Sequence, residues 1–123
     1  MKLDPDCIRN ILFAVEENTG FSSLMGVDES NFNRYEQLKN YEFEKVAYHI
    51  MQCGYCGYFT DMKQTLDGSF MIVDLSPKGH EFLANIRNDN NWKKIKDTAQ
   101  KIGSFSLGIL ADIAKDYISS KLR

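Results

Sequence analysis

The chain has 123 residues, 43% of them hydrophobic and 26% charged, with a formal net charge of −2. That length holds one domain with a real core, and the composition excludes wholesale disorder. No apolar run approaches bilayer-spanning length, and the opening MKLDPDC puts an aspartate where a secretion signal has its apolar stretch, so a cytoplasmic protein without membrane contact is expected.

Asp4-Pro5 is a helix start, an acceptor at the N-cap followed by proline at the first helical position. Ile8, Ile11, Leu12 and Val15 then recur at helical spacing, and Asn18-Thr19-Gly20 ends the run. Phe13 points away from that stripe and needs something else to pack against. Residues 20 to 40 mix turn formers and polar residues without a period and read as loop, with RYEQLKN as a short strand. A second helix is expected from Tyr41 to Gln52 on the stripe Phe43, Val46, Ala47 and Ile50, closed by Gly54. Its outermost positions on this reading are Lys45, Tyr48 and Gln52, with His49 to one side.

YFTDMKQTL and SFMIVDL alternate as strands do, and Asp67-Gly68 between them suits a type I′ turn, in which both central residues take positive φ. The period changes at Leu75-Ser76-Pro77. Ser76 caps a third helix, Pro77 takes its first position, and Gly79, Phe82, Leu83 and Ile86 make its buried face. With no Cβ, Gly79 lets that helix lie close to the sheet. After the polar break NDNN, a fourth helix carries Trp92, Ile95, Ala99 and Ile102 on one side and Lys93, Lys94, Lys96 and Lys101 off it. Ser104 or Ser106 can cap a fifth, whose stripe is Leu110, Ile113, Ala114 and Tyr117. Leu107, Ile109, Ile118 and Leu122 widen its apolar arc beyond the roughly 100° of a helix lying on one core. Such a helix wants two neighbours, and a second copy of the chain can supply one. The expected homodimer surface is therefore Phe13, Leu107, Ile109, Ile118 and Leu122.

Helix, loop, helix, hairpin, helix is the order of a winged-helix domain, and QCGYCGYF and LSPKGHEFL look like the junctions of bacterial winged-helix regulators. The expected class is α+β: a winged-helix-like core over residues 1–90 with a β-hairpin wing, and a C-terminal two-helix extension over 91–123 packed on it as one domain. DPDCIRNILFAVEEN, VAYHIMQCGY, LSPKGHEFLANIRNDNNWKKIK and SFSLGILADIAK resemble a bacterial and prophage family known as domain of unknown function 2513. The departure is Tyr41-Glu42, where that family usually has a polar helix cap. The resemblance implies a small cytoplasmic protein of phage or mobile-element background and brings no activity or site residues with it.

Cys53 and Cys56 form a lone CxxC, and three cysteines suit a reducing compartment better than a disulfide framework. A structural zinc site needs four ligands, so the pair reads as small half-buried thiols and no metal or cofactor is expected. His49 and His80 are the side chains suited to acid–base work near neutral pH, but no nucleophile is placed beside either, and both read as structural. Trp92 reads as a packing residue and the nearby lysines as a solvated face. Catalysis is not expected.

The charge is uneven: residues 1 to 75 carry 6 Lys/Arg against 12 Asp/Glu, and residues 76 to 123 carry 9 against 5. In a DNA-reading winged helix, the second helix enters the major groove, where Tyr48, His49 and Gln52 would meet base edges and Lys45 a phosphate. The acidic front half argues against that surface, because such binding relies on neutralising phosphates. The expectation is a protein-binding adaptor or regulator with an unidentified protein partner; DNA binding is the alternative.

Overall fold

The computed structural model describes residues 1–103 and 106–122. Helix α1 (Pro5–Asn18) starts where the sequence predicts: the Asp4 carboxylate accepts from the amides of Asp6 (3.0 Å) and Cys7 (3.2 Å), with proline in the first turn. Cys7, Ile8, Ile11, Leu12, Ala14 and Val15 form its buried face. Past Thr19 the chain turns at Gly20–Ser23 and enters strand β1 (Met25–Val27), which the periodicity does not reveal. Three residues are too few to display alternation, although Met25 and Val27 are buried with Gly26 between them.

The strand expected in RYEQLKN is absent. A 3-10 turn, Phe32–Arg34, follows β1 instead, and hydrogen-bonded turns carry the chain to Tyr41. Leu38 is plugged into the core, and the Tyr35 hydroxyl donates to the Gly26 carbonyl at 2.7 Å, tying this segment to β1. Polar residues dominate the stretch because its turns are held by side chains: Asp28 accepts from the amides of Ser30 and Asn31.

Helix α2 runs Phe43–Tyr55, two residues later at its start and three later at its end than the spacing suggests. Glu42 occupies the N-cap without a side-chain cap bond, in keeping with the missing polar cap. Gly54 does not close the helix. It lies inside, where a Cβ would come within 2.9 Å of the Met62 methyl; the turn out is made at Gly57, at φ +77°.

Strands β2 (Phe59–Gln64) and β3 (Phe70–Leu75) form the hairpin, and β1 pairs antiparallel with the other edge of β3, so the sheet order is β1-β3-β2. The reversal at Asp67-Gly68 is real but is not type I′, since only Gly68 has positive φ. The Gly68 amide bonds to the Thr65 carbonyl and the Thr65 amide to the Ser69 carbonyl, giving a three-residue loop of the kind that ends in a left-handed glycine.

Helix α3 (Pro77–Ile86) begins one residue after β3. The Ser76 hydroxyl accepts from the Gly79 amide at 3.0 Å and donates to the Gly57 carbonyl at 2.6 Å. A Cβ on Gly79 would lie 2.2 Å from the Tyr58 carbonyl oxygen, so backbone meets backbone there, as the glycine predicts. Helix α4 (Asp89–Ile102) is capped by Asn88 and ends at Gly103, at φ +89°. Helix α5 (Leu107–Lys121) is capped by Ser106; the alternative cap, Ser104, lies outside the described residues.

One apolar cluster draws on α1, α2, the sheet and α3, and continues through Trp92, Ile95 and Ala99 into Leu107, Leu110 and Ala114. Burying each large side chain of this kind contributes roughly 1.5–3 kcal/mol. Helix α5 packs on both α4 and α3. Of the residues that widen its apolar arc, Leu107 is buried by these neighbours, Ile118 is half-buried, and Ile109 and Leu122 are exposed.

Candidate functional site

Helix α2 and the hairpin after it carry the surface that sequence reasoning singles out. Val46, His49, Ile50 and Cys53 face inward, so the opposite side presents Glu44, Tyr48 and Tyr55, with Gln52 beside them and Met51 partly buried against the core. Tyr55 is 72% exposed. It escapes the sequence reading because that reading ends the helix at Gln52; following the helix through Gly54 places Tyr55 one turn beyond Met51.

Of the four proposed nucleic-acid contacts, Tyr48 and Gln52 remain partly exposed, and the two basic candidates are engaged inside the chain. Lys45 Nζ pairs with Asp4 Oδ2 at 2.6 Å. His49 is fully buried, which removes it from any base edge. Its Nε2 accepts from the Asp4 amide at 2.9 Å, so Nδ1 carries the proton and donates to the Lys45 carbonyl at 2.7 Å. Burial pushes the His49 pKa down, against the opposing pull of the Lys45 carbonyl and the Asp4 carboxylate. Partial burial alone would raise the Asp4 pKa, but the Lys45 ammonium and the amides of Cys7 and Asp6 outweigh it and hold it below its ordinary value. Asp4 thus serves three groups at once: the helix it caps, the lysine, and the imidazole.

The proposed homodimer residues separate in a similar way. Leu107 is buried within its own chain and cannot meet a second copy. Phe13 is partly buried, with the guanidinium carbons of Arg9 and Arg87 at 5.0 and 5.5 Å from its ring centre. Ile118 is half-buried, while Ile109 and Leu122 are exposed, as is Ile102 at the end of α4.

The cysteines are free thiols, with Cys7 and Cys53 buried. Burial pushes Cys7 up to about 12 and Cys53 up as well, which keeps both protonated near neutral pH. Among the described residues no three His, Cys, Asp or Glu side chains converge as metal ligands would. Trp92 is a packing residue: it is buried, and its indole N–H donates to Asp6 at 2.8 Å, a carboxylate that Lys96 also holds at 3.0 Å. A crevice of about 170 Å³ opens between α3 and α5 over the stacked rings of Tyr58 and Phe82, and neither histidine lines it. No helix is long and apolar enough to cross a membrane among the described residues.

This α+β architecture, with five α-helices and a three-stranded antiparallel sheet among the described residues, has a family. Residues 2–106 match the model of the family described as Hypothetical protein (DUF2513), and the chain belongs to it. It is also similar to an uncharacterised protein of Haemophilus influenzae, 28% identical over 125 residues that cover 99% of each chain. No solved structure gives a significant match.

Proposed function

We propose that the chain is a non-enzymatic winged-helix-like module that binds protein through the outer face of α2, as an adaptor or regulator of phage or mobile-element type. The winged-helix part rests on the element order and on the sheet order β1-β3-β2, with the hairpin directly after α2 in the position of a wing. The mobile-element part rests on the family resemblance. One observation carries the choice of partner: the outer line of α2 is Glu44, Tyr48 and Tyr55, and the basic groups of that helix are engaged by Asp4 and by burial. Aromatic residues are enriched where proteins meet, whereas phosphate binding needs free cations.

The second reading, DNA binding, is favoured by the placement of α2 ahead of the hairpin and by the exposed lysines 93, 94 and 101. A homodimer through the C-terminal helices would seat on Ile109 and Leu122, which are exposed, as is Ile102.

A photo-reactive analogue placed at Tyr55 tests the choice in the native cell. A discrete protein adduct, weakened when Tyr48 is replaced by alanine, is expected. Adducts to nucleic acid, or a mobility shift of promoter DNA at low salt, would replace this reading with the second.

A further inference from the structure

We propose that His49 is a proton-operated latch between the start of α1 and α2, closed only while its imidazole is neutral. The two ring nitrogens have fixed and opposite jobs: Nε2 accepts from the Asp4 amide at 2.9 Å, and Nδ1 donates to the Lys45 carbonyl at 2.7 Å. The ring is fully buried, so no water stands ready to take over either bond. Adding a proton to Nε2 turns an acceptor into a donor facing another donor. The Asp4 amide is orphaned and a cation is buried, and both cost free energy.

The groups around the junction decide whether that cation finds relief. From α1 and its cap come Asp4 and Cys7; from α2 comes Lys45, with Tyr41 stacked on its ammonium at 5.5 Å. Cys7 is neutral, and the Lys45 ammonium repels a second cation. The Asp4 carboxylate is the one anion of this set, and it already holds Lys45 and two helix amides. An imidazolium therefore gains a partner only by breaking the cap or the ion pair. The relief available is to let α2 and the first turn of α1 separate. Tyr48, whose ring meets that of His49 edge-on at 5.2 Å, moves with it and takes the outer face of α2 along.

The sign follows from burial. The folded chain holds the His49 pKa below the ordinary 6.5, so the unfolded chain takes up the proton first. The latch contributes fully above about pH 6.5, weakens as pH falls toward the folded-state pKa, and is spent below it. Within that window the ratio of folded to unfolded chain falls by up to about tenfold per pH unit from this group. Asp4, held below its usual range, stays ionised there, so its own titration does not contribute in this window.

Nuclear magnetic resonance of the full chain between pH 7.5 and 5 is the direct test. The Asp4 amide signal and its hydrogen-exchange protection are expected to follow the His49 ring through one shared midpoint. Urea unfolding of His49→Gln, which keeps an amide acceptor and donor that do not titrate, is expected to lose the wild-type pH dependence in that window. An Asp4 amide indifferent to the titration of His49 overturns the latch, as does a wild-type pH dependence retained in the glutamine variant. If that variant does not fold, the wild-type titration alone decides. The link from latch to partner surface rests on the reading of α2 given above. No readout here involves a partner, so failure of crosslinking at Tyr55 and failure of the latch are separate outcomes.

Discussion

Two of the junctions that position helices in this protein, β3 to α3 and α1 to α2, work by different physics. Where β3 meets α3, the contact is steric: Gly79 brings the helix against the Tyr58 carbonyl, and Ser76 bonds to both its own helix and the Gly57 carbonyl. Where α1 meets α2, the contact is polar and charged: Asp4, Lys45 and His49 share a small network. A steric junction is indifferent to pH and intolerant of any added atom. A polar one tolerates shape changes better but depends on protonation.

The sharpest break of the first junction is Gly79→Ala. The new methyl would stand 2.2 Å from a backbone oxygen that cannot swing away. A loss of about 3 kcal/mol is expected in urea unfolding, at the upper end of overpacking costs. At the second junction, Asp4→Ala removes a cap with two amide partners and the ion pair to Lys45. It should cost about 2 kcal/mol by the same measurement. Ser76→Ala takes away the cap bond and the bond to the Gly57 carbonyl and should cost about 1.5 kcal/mol, leaving the glycine contact intact. Lys45→Met keeps the stem and loses a partly exposed ion pair and the ammonium's contact with the Tyr41 ring, so about 0.5 kcal/mol is expected. If Lys45→Met proved costlier than Ser76→Ala, the polar junction would be the stronger of the two, and the contrast drawn here would reverse.

The two junctions also differ in how visible they are in the sequence. Ser76, Pro77 and Gly79 sit within four residues of one another, and each is a residue type with a single strong conformational reason to be there. The third helix, its cap and its close approach can therefore be read directly. His49 and Asp4 are 45 positions apart, and nothing in VAYHIM announces that the histidine turns inward. At helical spacing His49 lies on the margin of the stripe set by Phe43, Val46 and Ile50, and only the packing of α1 against α2 settles which way it points. The same gap accounts for Lys45, placed outward by periodicity and held by a partner from another helix.

Element ends were less legible than element identities. Gly54 looks like a stop because glycine commonly follows a helix, yet here it makes room for Met62 from the neighbouring strand. A helix that ends at Gln52 leaves out Tyr55, which is 72% exposed on the candidate partner surface. β1 is invisible in the sequence for a related reason: a strand of three residues is stabilised by its pairing with β3, and pairing leaves no trace in local periodicity.

By itself the chain's order of residues determined the five helices, the hairpin, the caps at Asp4 and Ser76 and the α+β class, because these follow from backbone preferences and apolar spacing over a few neighbours. Tertiary structure alone decided which side of α2 faces outward, that α5 packs on α3 and α4 and leaves Ile109 and Leu122 exposed, and that a histidine with two possible roles has its ring nitrogens committed to Asp4 and Lys45. Those outcomes depend on what distant segments bring into contact, and burial gives them their energy.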